Sequence, residues 1–222
     1  MTVSIKIESN VKELNKKLGM FQKKHLPEIV ADGINVVAAK SANAMRSQFA
    51  NSFDKPVSKT VKSVLVFAAK PKDLSALVFI RNKGGYGKPP SEYLEPFLSG
   101  KPKTPQKSNV IIPTKNTKTN QYGNITAGNR NKYFSNDDKY FVGVPKGFPS
   151  AGYGVWERYG RNATGSSAGA KIRMMVNLSK QQNFRKRFDF FKTVTGVVKN
   201  NMAKALDKEM RRILRRWYTP HY

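Results

Sequence analysis

Asp137 and Asp138 stand side by side, and Glu157 follows at a distance. Hard divalent cations prefer clustered carboxylates, so three such groups brought together could in principle hold a metal for phosphodiester hydrolysis. The competing reading is a solvated acidic turn, and the sparse supply of carboxylates across the chain favours it. His25 sits beside Lys23 and Lys24 at an expected helix boundary, and His221 is the penultimate residue. Both read as exposed titratable side chains and not as a ligand or base. Gly84, Gly85 and Gly87 precede Lys88, but Pro89 and Pro90 stand where a phosphate-binding loop needs Ser or Thr and the start of a helix. The absence of Cys excludes disulfides, thiolate metal sites and a Cys nucleophile. No catalytic residue, metal site or cofactor site is therefore expected.

The chemistry that the sequence does carry is cationic. Lys and Arg number 41 against 14 Asp and Glu, for a formal net charge of +27 spread along all 222 residues. Such a chain is expected to work beside a polyanion or an acidic partner. One group of cations, Lys101, Lys103, Lys107, Lys115, Lys118, Arg130 and Lys132, is interleaved with Tyr122, Tyr133 and Phe134. A second, Lys208, Arg211, Arg212, Arg215 and Arg216, lies near the C-terminus. These are candidate contacts to a protein partner or to DNA phosphates. Cations among aromatics can support single-strand stacking. They can equally ring an interface, with Tyr93, Phe97, Tyr133 and Phe134 as anchors or as core residues. No cluster matches a helix-turn-helix or zinc finger, so base-specific reading is not expected.

The elements that must position these residues follow from hydrophobic periodicity. Residues 3–7 alternate as a short strand, and Val11, Leu14, Leu18 and Phe21 share one helical face. Pro27 fits the first turn of a second, long helix on which Val30, Ile34, Ala38, Ala42, Met45 and Phe49 recur; residues 51–56 should end it. The period then becomes two over residues 64–69 and 74–80, around a turn at 70–73. Both faces of that hairpin are apolar, which hints at coverage by another subunit or domain. Residues 82–150 read as a long loop-rich insertion with short strands at 110–112 and 140–144. Residues 154–159 and 172–178 read as closing strands, with a turn at 161–169. A final helix carries Phe184, Phe188, Phe191, Val194, Val198, Met202, Ala205, Met210, Ile213 and Trp217 as one stripe. The expected fold class is α+β: long N-terminal and C-terminal helices packed on a mainly antiparallel sheet, in a single domain over 1–222 with the irregular insertion at 82–150. The longest apolar runs fall far short of the roughly 20 residues of a membrane-spanning helix. The start lacks the apolar block of a secretory signal, so the chain is expected to act where it is made.

The order of elements, with the segments FANSFDKP (49–56), YLEPFLSGK (93–101), QYGNI (121–125), KYF (132–134), GVPKG (143–147), GVWER (154–158) and FDFF (188–191), resembles phage virion proteins. The similarity is to tail-completion and minor tail proteins of the lambda protein Z type and their short-tailed-phage relatives, and spans about 11–217. The resemblance implies a non-enzymatic head-tail connector subunit, assembled in the host cytoplasm and located in the neck or tail of the virion. It implies a homo-oligomeric ring next to the portal, with portal, adaptor or tail proteins as partners and non-specific phosphate contacts to packaged DNA. Insertion 82–150 is larger than the lambda-type pattern. Non-specific nucleic-acid binding is the alternative reading, and a nuclease built on Asp137, Asp138 and Glu157 a third.

Overall fold

Val11–Ser52 forms one continuous 42-residue helix, α1, with Pro27 inside it. The sequence reading broke this stretch into two helices. Pro27 removes one N–H and crowds the carbonyl of Lys23 one turn earlier. Lys23 and Lys24 are exposed, so water can serve the backbone group that Pro27 leaves unpaired. The structure, a computed structural model, describes residues 11–83, 87–101, 109–135, 137–160, 171–180 and 183–218. The expected strand at 3–7 and turn at 161–169 lie outside these residues. The described chain divides into two compact units, each assembled from separated segments.

The first unit comprises residues 11–48, 62–83 and 190–218. Strands β1 (Val64–Phe67) and β2 (Leu77–Ile80) pair antiparallel, with Val64 opposite Ile80 and Phe67 opposite Leu77. Lys70 and Asp73 exchange backbone hydrogen bonds of 2.8 and 2.9 Å, so the expected turn is present. The Asn35 amide fixes the hairpin to α1 by donating to the Ala69 carbonyl and accepting from its N–H. The long C-terminal helix, α5, is Phe190–Tyr218. Gly33 lets α5 approach α1 closely, since a Cβ there would come 2.6 Å from Leu206 Cδ2.

The buried stripe of α1 is Ile29, Val37, Ala38, Ser41, Ala42, Met45 and Phe49. It agrees with the expected stripe from Ala38 onward, but Val30 and Ile34 are only half-buried. Buried Gly33 and Ser41 turn the contact face toward positions that hydrophobicity alone does not mark. Ser41 satisfies its hydroxyl by donating to the Val37 carbonyl one turn back, at 2.9 Å.

The second unit comprises residues 49–61 and the described residues from 87 to 189. It holds α2 (Ser58–Val61), α3 (Pro90–Ser99), β3 (Val110–Pro113), α4 (Ala127–Tyr133), β4 (Tyr140–Gly143), β5 (Gly154–Tyr159) and β6 (Lys171–Ser179). The four strands form one antiparallel sheet in the order β3-β6-β5-β4. All strand pairing among the described residues is thus antiparallel, and the fold is α+β with long helices toward each end of the chain. Segment 82–150, expected as a loop-rich insertion with short strands at 110–112 and 140–144, carries those strands as β3 and β4 and, beyond the expectation, two helices. Gly and Pro drew that expectation, yet here they delimit elements. Pro90 opens α3, and Gly100, at φ 70°, caps it by donating to the Pro96 carbonyl.

A core of Tyr133, Tyr140, Val155, Met175, Val176 and Leu178 lies on one face of this sheet, flanked by Ile111, Ile125, Phe134 and Val142. A second core is a chain of rings in the same unit. Phe49 meets Phe188 at 4.8 Å, Phe188 meets Phe53 at 5.8 Å, Phe53 meets Phe97 at 4.9 Å and Phe97 meets Phe184 at 4.7 Å. Phe184 and Phe188 therefore do not extend the stripe of α5. They precede the helix, and the Arg187 N–H fixes their segment by donating to the Phe97 carbonyl at 2.9 Å. Phe191, also expected on that stripe, is 82% exposed.

Candidate functional site

The carboxylates that could have held a metal have other partners. Asp137 accepts from the Ser135 hydroxyl and from the backbone N–H groups of Lys139 and Tyr140, closing the turn that leads into β4. These bonds, led by that of Tyr140, hold its carboxyl below the usual value. Asp138 is exposed, and its backbone carbonyl accepts from Arg158 at 2.8 Å. Glu157 is buried in the sheet between Arg173 at 2.7 Å, Lys139 at 3.3 Å and the Tyr140 hydroxyl at 3.2 Å. Burial alone would push this carboxyl up, but the Arg173 and Lys139 contacts outweigh it and hold it down. Among the described residues no three His, Asp or Glu side chains converge on a common point. His25 is half-buried and not exposed as expected, with its ring 5.5 Å from that of Phe21 and Nδ1 3.5 Å from Glu28. His221 lies outside the described residues.

The expected cations fall in both units. In the second, Lys101, Lys115, Arg130 and Lys132 are exposed; Lys103 and Lys107 lie outside the described residues. In the first, Lys208, Arg211, Arg212, Arg215 and Arg216 are exposed along α5. Acidic side chains already engage part of this cluster: Arg211 pairs with Asp207 at 2.9 Å, and Arg212 with Glu209 at 2.5 Å and Asp32 at 2.6 Å. These two pairings leave less of the arginine cluster for phosphate than its sequence suggests. Tyr133 is a core residue and not a surface anchor, 2% exposed, with its hydroxyl accepting from the Lys118 N–H. Phe134 packs half-buried beside it.

Tyr93 and Phe97 do reach a concave surface. The turn after α1 contributes Phe53, Asp54, Lys55, Pro56 and Val57; α2 contributes Lys59 and Thr60; α3 contributes Tyr93, Leu94 and Phe97. Tyr122 and Asn124 close the far side of a hollow of about 410 Å³. Its floor is apolar, and Lys55 and Lys59 stand among its walls. Lys59, Tyr93 and Asn124 also border a second depression of about 760 Å³, which Lys88 and Arg130 join from α3's entry and from α4.

Local bonds make the groove firm. The Tyr93 and Thr60 hydroxyls are 3.0 Å apart, tying α3 to α2. Asn120 Oδ1 accepts from the N–H groups of Tyr122 and Asn124, which fixes the turn carrying both residues. Lys55 is the one non-glycine with positive φ, 47°, among the described residues, and it precedes Pro56. That backbone is disfavoured for a residue with a Cβ and again for one before proline. Strain of this kind recurs where a side chain must be aimed.

Sequence reasoning singled out Tyr93, Phe97 and Arg130 but missed Lys55, Lys59 and Lys88. Those three sit outside the two densest basic runs, and only folding gathers them. The Lys-Pro pair at 55–56 was the one local signal.

The first unit offers a different surface. On the outer face of its hairpin Phe67 is 64% and Leu77 56% exposed, and Phe67 stacks on Phe79 at 4.8 Å. Among the described residues no helix is long and apolar enough to cross a membrane. Comparison with protein-family models, with curated proteins and with solved structures finds no match to this chain.

Proposed function

We propose that this chain is a non-enzymatic structural subunit of a phage virion. In this reading it is a neck or tail-completion component that repeats as a ring beside the portal and the DNA exit channel. The observation that carries the assembly role is the hairpin of the first unit. Phe67 and Leu77 are register partners, both more than half exposed, on a two-stranded sheet that leaves its outer apolar face to solvent. Exposed apolar side chains gathered on one sheet face suit a site that another protein covers. Asp137, Glu157 and His25, which might have done chemistry, are held in a turn, in the sheet and on a helix, which supports a structural role. The resemblance of segments such as 93–101 and 154–158 to tail-completion proteins supplies the setting.

The net charge of +27 suits that setting. Around a ring axis the same cations recur in every subunit, so a few Lys or Arg per chain build a strong field toward packaged DNA or toward acidic faces of portal, adaptor and tail proteins. Purified virions tested by mass spectrometry should contain the chain, and a phage lacking it should accumulate unjoined or leaky heads. Absence from the particle removes the proposal.

Non-specific nucleic-acid binding is the second reading, favoured by the exposed Lys208, Arg215 and Arg216 on α5. It predicts affinity for duplex DNA that falls linearly in log K against log salt.

A further inference from the structure

We propose that the groove of the second unit is a docking site for an extended acidic peptide segment that carries one bulky apolar side chain, presented by another protein. This rests on the groove's own geometry and holds whether or not the chain works in a virion.

The hollow of about 410 Å³ has the size of a pocket that encloses a compact organic group, and Val57, Leu94 and Phe97 give it an apolar floor. An apolar anchor entering it leaves water on both sides. Around and beyond the hollow the charge is mainly positive. Lys55 and Lys59 line the hollow, and Lys88 and Arg130 border the adjoining depression. Asp54 is an acidic member of the wall, and Lys88 is already paired with Glu92 at 2.6 Å. Carboxylates flanking the anchor would meet Lys55 and Arg130, while Lys59, which like Lys88 already has an interaction within the chain, adds to the positive field. Charge of this kind selects the partner and speeds its arrival. A second copy of this chain, at +27, is the wrong sign for that surface.

The aromatic side chains of the groove decide between a peptide and single-stranded nucleic acid. Base stacking needs free ring faces. Phe97 is held edge-on between Phe53 and Phe184, and Tyr93 is tied through its hydroxyl to Thr60. Of the aromatic residues lining the hollow, Tyr122 is the most exposed, at 39%. That is a lining for one inserted side chain and not a stacking platform.

The test uses the full chain and three fluorescent probes: a Glu- and Asp-rich peptide with one central Trp, the same peptide with Ala for Trp, and an oligothymidylate of matched charge. The Trp peptide should bind tightest, with the Ala peptide at least about tenfold weaker. Lys55→Glu with Lys59→Glu should weaken the Trp peptide by about tenfold or more. Lys199→Glu with Lys204→Glu, on exposed positions of α5, should leave it nearly unchanged, and circular dichroism should show both double variants folded. Equal losses in the two double variants, or equal binding of the two peptides, would show mere polycation attraction and overturn the proposal. Oligothymidylate that binds tighter than the Trp peptide, and loses its affinity in the groove variant, would replace it with a nucleic-acid site.

Discussion

Glu157 and Arg173 are register partners on β5 and β6, and Arg173 Nε lies 2.7 Å from Glu157 Oε2. Tyr140 is the partner of Glu157 on the other side, in β4, and its hydroxyl donates to Oε1 at 3.2 Å. One buried carboxylate thus joins three strands of the second unit. With Arg173 and Lys139 half exposed at its rim, the charge on Glu157 is compensated without either cation leaving water.

The lowered pKa of Glu157 fixes the sign of an acid effect. Its folded value lies below the ordinary 4.5, so its contribution is present above that pH and is lost as pH falls through the lowered value. Glu157→Gln should cost about 1–3 kcal/mol at neutral pH, because Arg173 and Lys139 can turn to solvent when unpaired. Urea unfolding across the acid range should show a smaller loss of stability in the variant than in the parent.

Tyr140 gives the complementary alkaline effect. Burial, and then the neighbouring Glu157 charge, push its hydroxyl up from 10.0 to about 12. A raised folded value means stability that is complete below pH 10.0 and is lost as pH rises through about 12. Tyr140→Phe should cost about 1 kcal/mol at neutral pH and remove that part of the alkaline loss. Phenolate absorbance against pH, with unfolding followed in parallel, reads both.

Two glycines should respond to Ala to different extents. At Gly154 a Cβ would lie 2.5 Å from the Val176 carbonyl oxygen, next to the register shift between Val155 and Trp156, and backbone cannot move aside cheaply. Gly154→Ala should cost at least about 2 kcal/mol. At Gly33 the near atom is the end of the Leu206 side chain, which can rotate. The helix preference for Ala offsets part of the clash, so Gly33→Ala should stay within about 1 kcal/mol of the parent. Thermal melts separate the two.

Much of the architecture is legible in the sequence where periodicity is undisturbed. Residues 154–159 and the 70–73 turn appear where alternation and Pro-Lys-Asp chemistry put them. Legibility fails where tertiary packing overrides a local signal. Pro27 reads as a helix start but lies inside α1, and Phe184 and Phe188 keep helical spacing yet pack against Phe97, Phe49 and Phe53 before α5 begins. Helix α4, Ala127–Tyr133, has little apolar periodicity; its signal was Thr126, which caps the helix by accepting from the Asn129 N–H. The groove was half visible: Tyr93, Phe97 and Arg130 stood out as anchors and cations, whereas Lys55, Lys59 and Lys88 acquire meaning only once three segments meet.

The hairpin face predicts how subunits associate. Phe67→Lys with Leu77→Lys should cost the isolated chain about 1–2 kcal/mol, because the Phe67–Phe79 stack is lost and two like charges face each other across the ladder, and should leave it folded. The same pair should abolish assembly if this face is covered in the particle. Sedimentation of parent and variant, with virion yield alongside, gives the comparison.

If this chain builds part of a phage neck, as proposed, cryo-electron microscopy of the intact virion will show it there. The expected result is a ring of density beside the portal in which each subunit shows helices of 42 and 29 residues, with the Phe67 face against a neighbouring protein. Particles whose neck and tail axis contain no density matching these helices would rule out a neck role for this chain.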